Sequence, residues 1–253
     1  MTVGPSRSDG RDAGGREFLY RAPGPPHVGL YDTYLAVRHR FHGGDTPEHV
    51  AIVITERDLL ADGAFGTLSA ALGWAFEYGA DRVTVSVSVL DAAVVPTLVR
   101  ELRQVDAPRR LVVRGPEDAA LDDGTADFEG DAGRRARERT ENQRSADAPI
   151  RITVGLGGKA EFAAAVRELA TDVDAGDLDP ESIDAADVSD RLVFPEEPDL
   201  VIKTGAERLS DFAIWQSVYA ELYFTDVNWR DFRKRDYLRA VLDFQDRQRR
   251  FGR

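Results

Sequence analysis

A glycine-rich turn is the first place in this sequence where residue type and spacing suggest chemistry. Gly155-Leu156-Gly157-Gly158-Lys159-Ala160 follows an apolar run, opens a helix-like stretch and fits the G-x-G-x-x-A dinucleotide pattern. Ala160 stands where a phosphate-binding P-loop needs Ser or Thr, so that route to a nucleotide is excluded. His39 and His42 are potential metal ligands, but with no cysteine or paired histidine beside them they read as a solvated helix face. Trp215, Tyr219, Tyr223 and Phe224 recur at helical spacing and read as core or dimer interface rather than as a cofactor site. Near the end, Arg247, Arg249, Arg250 and Arg253 suit the negative end of a helix, worth roughly 0.3–1 kcal/mol per charge. The order Arg250-Phe251-Gly252 leaves a more specific role open.

Composition restricts the ligands. Acidic residues outnumber basic ones 45 to 33, for a net charge of -12, so a general nucleic-acid binder is disfavoured and a diphosphate would need a local basic cluster or a metal. Only Lys159, Lys203 and Lys234 are lysines. Many carboxylates with few lysines fit a halophilic archaeon, while a GC-rich genome is the bland alternative. The absence of cysteine excludes disulfides, thiolate zinc sites and a cysteine nucleophile. With no bilayer-spanning apolar run and no signal-peptide core, a cytoplasmic protein is expected.

The elements that must position these residues alternate. Residues 1–28, rich in Gly, Pro, Ser and Arg, read as a flexible N-terminal segment, and 29–253 as one domain. A short helix over 31–37 precedes HVAIVIT (49–55), a run expected of a strand buried on both faces. Further strands are expected at 82–90, 109–114, 150–156 and 200–204. Helices are expected at 66–78, 96–105, 159–173 (with Phe162, Val166, Leu169 and Val173 as its apolar stripe), 210–222 and 235–250. An acidic insertion at about 115–148 has too few large apolar residues to order itself firmly. Strands alternating with helices predict an α/β fold, a mostly parallel sheet with helices on both sides.

The segment PDLVIKTGAERLSDFAIWQSVYAELYFTDVNWRDF (198–232) resembles the signature of the cis-prenyltransferases, the undecaprenyl and dehydrodolichyl diphosphate synthases. There a strand ends in Arg-Thr-Gly-Gly-Glu-x-Arg-(Ile/Leu)-Ser, followed by a Trp-Gln pair and Glu-Leu-Tyr-Phe-Thr. RRFGR at the end, HVAIVI near the start and GLGGKAEF extend the likeness over about residues 30–253, apart from the insertion. It implies an undecaprenyl diphosphate synthase-like dimer that extends an allylic diphosphate with isopentenyl diphosphate, with magnesium on the leaving group.

Carried over residue by residue, the resemblance implies that Lys203, Arg208 and Ser210 occupy the isopentenyl diphosphate motif, with one residue missing before Arg208. Lys keeps the charge of the family's Arg and loses its planar grip. The three are equally open to reading as a weak diphosphate site or as inherited scaffolding. Glu221 matches a magnesium-binding acid, and Arg250 and Gly252 match the tail that cradles isopentenyl diphosphate across the dimer.

The N-terminal half departs from the pattern. Thr55 stands where the family has its essential metal-proximal Asp, Glu56 and Asp58 lie where backbone should approach diphosphate, and Ser88-Val89-Leu90-Asp91-Ala92-Ala93 replaces Phe-Ser-(Ser/Thr)-Glu-Asn-Trp. A hydroxyl cannot supply a carboxylate's charge to a magnesium diphosphate, and flanking acids repel one. The expected protein is therefore a non-catalytic accessory subunit, similar to the Nogo-B receptor. It would pair with a catalytic prenyltransferase and lend it Arg250 and Gly252, in the cytoplasm or peripherally at a membrane. Two alternatives stand beside it: a self-sufficient synthase, as a homodimer, using Glu56 or Asp58 as a displaced carboxylate, and a prenyl-lipid or nucleotide binding module.

Overall fold

The computed structural model describes residues 29–116, 147–192, 196–205 and 215–247. Helix α1 (Leu30–Arg40) leads into β1 (His49–Thr55), a short α2 (Glu56–Leu59) and α3 (Ala64–Glu77). Then come β2 (Arg82–Ser88), α4 (Val95–Leu102), β3 (Leu111–Arg114), β4 (Ile150–Val154) and α5 (Gly158–Ala175). The chain continues through α6 (Ala185–Ser189), β5 (Leu200–Thr204), β6 (Glu221–Thr225) and α7 (Lys234–Asp246). The strands form one sheet in the order β3-β4-β2-β1-β5-β6, every neighbouring pair parallel. The expected α/β class holds.

The apolar run of β1 is buried on both sides because the sheet has two covered faces, as parallel sheets require. One face carries the main core: Val50, Ile52 and Ile54 of β1 and Val83, Val85 and Val87 of β2 pack against Leu68 and Leu72 of α3, Leu98 of α4 and Leu238 and Val241 of α7. The other face is mixed. Beside Ala51, Val53 and Val201 it buries Thr84, Ser86, Arg151, Thr153 and Lys203. The alternation RVTVSVS therefore sends its hydroxyls into a second interior rather than into solvent.

Two expectations are corrected. No helix covers 210–222 among the described residues: 215–219 is a turn, and Glu221–Thr225 is the edge strand β6, paired along its length with β5. Leu222, Tyr223, Phe224 and Thr225 are good strand formers, and the partner strand outweighs the helical spacing of the aromatics. In α5 the buried positions are Gly158, Ala165 and Leu169, whereas Phe162 and Val166 stay substantially exposed. Residues 1–28, expected to be flexible, and the bulk of the acidic insertion expected at 115–148 lie outside the described residues.

At the starting ends of the strands, His49 is buried. Its Nε2 lies 2.9 Å from Thr84 Oγ1 and its Nδ1 3.2 Å from the Glu197 carbonyl. Burial, reinforced by the Arg151 charge, pushes its pKa down to about 4. The unfolded ring titrates near 6.5, so between those values only the unfolded chain takes up the proton. The associated stability is complete above pH 6.5 and is lost as pH falls toward 4, by about 3 kcal/mol at most. Urea titrations at pH 7 and 4.5 should show this loss, and His49→Gln should flatten the difference by about 2 kcal/mol or more.

Candidate functional site

Thr55, Ser88 and Thr204 end β1, β2 and β5 at one edge of the sheet, the pole where parallel α/β folds bind ligands. Pairing of Val53 with both Ser86 and Lys203 puts Thr55, Ser86, Ser88 and Lys203 on one face.

The hydroxyl of Thr55 does not stand open at this pole. It caps α2: Thr55 Oγ1 donates to Asp58 Oδ2 at 2.7 Å and accepts from the Asp58 amide at 3.3 Å, while the Thr55 amide donates back to Asp58 Oδ2 at 3.3 Å. This is a capping box, with Asp58 in the reciprocal role. Glu56 is buried, and its Oε2 accepts from the amides of Leu90 at 2.9 Å and Asp91 at 3.3 Å. Both acids at this strand end therefore fasten backbone, Asp58 holding α2 and Glu56 the loop after β2.

Lys203 is only 2% exposed, and its Nζ donates to the neighbouring Thr204 carbonyl at 3.1 Å. Burial lowers its pKa, opposed by the charge of Asp58. The amine is thus screened inside the sheet on the Thr55 side.

Glu221 is not brought to this pole. It pairs with Leu200, which pairs with Val50, five residues before Thr55, so it lies about 16 Å away along the strands. There Arg247 Nη1 donates to Glu221 Oε2 at 2.8 Å. Within one chain Glu221 cannot share a metal with residues near Thr55. Arg208, Ser210, Arg250 and Gly252 lie outside the described residues.

The other motifs resolve into structure. Gly155 holds a positive φ of 69° and Gly157 precedes the first residue of α5, so the strand, turn and helix context of the glycine motif is present. His39 and His42 are not a solvated face: His39 Nδ1 lies 3.0 Å from Gln245 Oε1, and His42 Nε2 lies 2.7 Å from Asp246 Oδ1. They fasten α1 and the following turn to the end of α7. Of the aromatics at helical spacing, Trp215 stacks on Phe162 with ring centres 5.8 Å apart, whereas Tyr219 is largely exposed.

Sequence reasoning missed the use of the carboxylates, although Thr55-Glu56-Arg57-Asp58 has a capping-box spacing that was readable. Among the described residues no group of three His, Cys, Asp or Glu could hold a metal. A magnesium diphosphate does not fit side chains already committed to backbone amides.

The model described as "Putative undecaprenyl diphosphate synthase" matches residues 125–252. A Thermococcus kodakarensis protein named tritrans,polycis-undecaprenyl-diphosphate synthase (geranylgeranyl-diphosphate specific) is 32% identical over 256 residues, covering 90% of this chain and 94% of that protein. A Methanopyrus kandleri protein of the same name is 49% identical over 107 residues, but that match spans 41% of this chain and 40% of the relative. The crystal structure of lavandulyl diphosphate synthase from Lavandula x intermedia, in complex with dimethylallyl diphosphate, superposes with a TM-score of 0.61 at 24% identity, over 82% of this chain and 99% of that one. At that identity the likeness speaks for the fold alone. The near full-length match to the Thermococcus protein, together with the family match over the C-terminal half, carries the conclusion that this chain belongs to the undecaprenyl diphosphate synthase family, the cis-prenyltransferases.

Proposed function

We propose that this chain is a non-catalytic subunit of a polyprenyl diphosphate synthase, pairing with a catalytic member of its family and lending Arg250 and Gly252 to that partner's isopentenyl diphosphate site. The observation that carries the reading is the commitment of Thr55, Asp58 and Glu56 to capping and loop closure where magnesium and diphosphate would need a free carboxylate. Magnesium then belongs to the partner's site. The allylic substrate is expected to be of the geranylgeranyl diphosphate class named for the Thermococcus relative.

The β6 edge supports this arrangement. Val218, Tyr219 and Phe224 are exposed there, and Arg247 is tied to Glu221 and to the Leu222 carbonyl, so the segment carrying Arg250 starts beside β6. Placement in the cytoplasm, peripherally at a membrane, completes the reading.

Coexpression with a family member that carries the intact carboxylate should give a complex with raised prenyl transfer, and Arg250→Ala should remove the gain while leaving the complex intact. Absence of both complex and activation overturns the proposal. A self-sufficient homodimeric synthase is the alternative outcome, and it would need Asp58, three residues after Thr55, to leave its capping bond and serve as the displaced carboxylate. Product from the purified chain, lost in Asp58→Asn, would establish it instead.

A further inference from the structure

We infer that the outward face of α1 is a self-association surface, which receives the same face of a second copy of this chain in antiparallel contact. The inference does not depend on the accessory role: a contact through α1 would join two such complexes, or two lone chains, alike.

Leu30, Tyr34, Val37 and Phe41 recur at intervals of four, three and four residues, which puts them within an arc of about 60° on the helix and its terminal residue. They are 93%, 58%, 50% and 82% exposed. The helix is held from its other side, where Leu35 is buried and His39 reaches Gln245 of α7. The row therefore adds little to packing within the chain, and a contiguous apolar stripe of this kind marks an interaction surface.

The spacing identifies the occupant. Four, three, four is the seam repeat of helices that pack at a shallow angle, and it reads the same in both directions. Laid antiparallel on a second copy, Leu30 falls opposite Phe41 and Tyr34 opposite Val37, and the two-fold axis repeats both pairs. Each ring then meets an aliphatic side chain, whereas parallel pairing would set Tyr34 on Tyr34 and Phe41 on Phe41. The antiparallel sense also sets the helix dipoles head to tail. Charges beside the row are matched within the chain, Arg38 by Asp246 at 3.0 Å and Arg239 by Asp236 at 3.4 Å. The surface thus offers a self-complementary shape rather than a surplus of charge. Its four side chains expose on the order of 500 Å² in each copy, or about 1,000 Å² across the pair, the lower bound of a specific interface. That size fits a reversible association, not an obligate one.

The chain has no cysteine, so single introduced cysteines report the register cleanly. When full-length Tyr34→Cys and Val37→Cys chains are mixed and mildly oxidised, the mixed disulfide is expected at least tenfold above that from Tyr34→Cys with Phe41→Cys. Equal yields, or no disulfide between chains, overturn the inference. In sedimentation velocity the parent chain is expected to double in mass as its concentration rises, more readily with added salt, which screens the repulsion between two chains of charge -12. Leu30→Gln/Phe41→Gln should weaken that step at least tenfold with unchanged far-ultraviolet dichroism; if this variant fails to fold, the crosslinks decide alone. An unchanged mass distribution in the folded double variant overturns the inference. So does flotation of the parent chain with phosphatidylglycerol vesicles that the double variant loses, which would assign the face to a lipid surface. None of these readouts involves prenyl transfer, so failure here leaves the accessory role standing.

Discussion

Incubated alone with an allylic diphosphate, isopentenyl diphosphate and magnesium, the purified chain is expected to form product at least ~10³-fold more slowly than a relative that carries the strand-end carboxylate. The reason is the balance of charge where the leaving group would sit. A departing diphosphate needs positive charge and open donors arranged in advance, each typically worth ~10²–10³ in rate. Here the Thr55 hydroxyl is bound to Asp58, and Lys203 is buried against the Thr204 carbonyl. Restoring the family's residue should not by itself rescue activity. Thr55→Asp would put a second carboxylate beside Asp58 Oδ2 and remove the hydroxyl that donates to it, so that like charges would meet across a hydrogen-bond distance. A radiolabelled isopentenyl diphosphate assay on the parent, Thr55→Asp and Thr55→Asp/Asp58→Gly separates these contributions. Robust turnover by the parent chain would discard the accessory role.

The largest loss of stability is expected from Trp229→Ala, at about 3–5 kcal/mol by urea denaturation. Trp229 is fully buried, its Nε1 donates to the Ala64 carbonyl at 3.1 Å, and its ring stacks on Phe232 with centres 5.5 Å apart. Truncation would open a cavity between α3 and the segment leading to α7, and would remove the side-chain donor that Trp229 adds to a carbonyl in the first turn of α3. Trp229→Phe should recover most of the packing and still lack that hydrogen bond, for a loss of about 1–2 kcal/mol. If both variants unfold at the parent's urea midpoint, Trp229 does not join these elements as described.

The mapping of vulnerable positions follows from what each residue type can reveal on its own. β1 was legible because an unbroken apolar run has few uses other than a strand covered on both sides, and Val50 through Ile54 are indeed fully buried. The core of α3 was legible from helical periodicity, and α4 from Pro96 at its first turn. β6 was not, because a five-residue edge strand shows its pattern only when β5 is there to pair with it. α5 was half legible: Phe162 belongs to its apolar sequence stripe, yet its stacking partner is Trp215, 53 positions later.

By itself the sequence determined the class of fold and the family likeness, since both depend on residue identity and local order. Tertiary structure alone decided what the nearby acids do. Asp58 and Glu56 could have been displaced metal ligands or repulsive charges. Which one a carboxylate becomes depends on the donors folding brings to it, and here the amide and hydroxyl of Thr55 bind Asp58 while the amides of Leu90 and Asp91 bind Glu56. The same physics separated Glu221 from Thr55: strand register is a long-range property, and it set the two at opposite ends of the sheet.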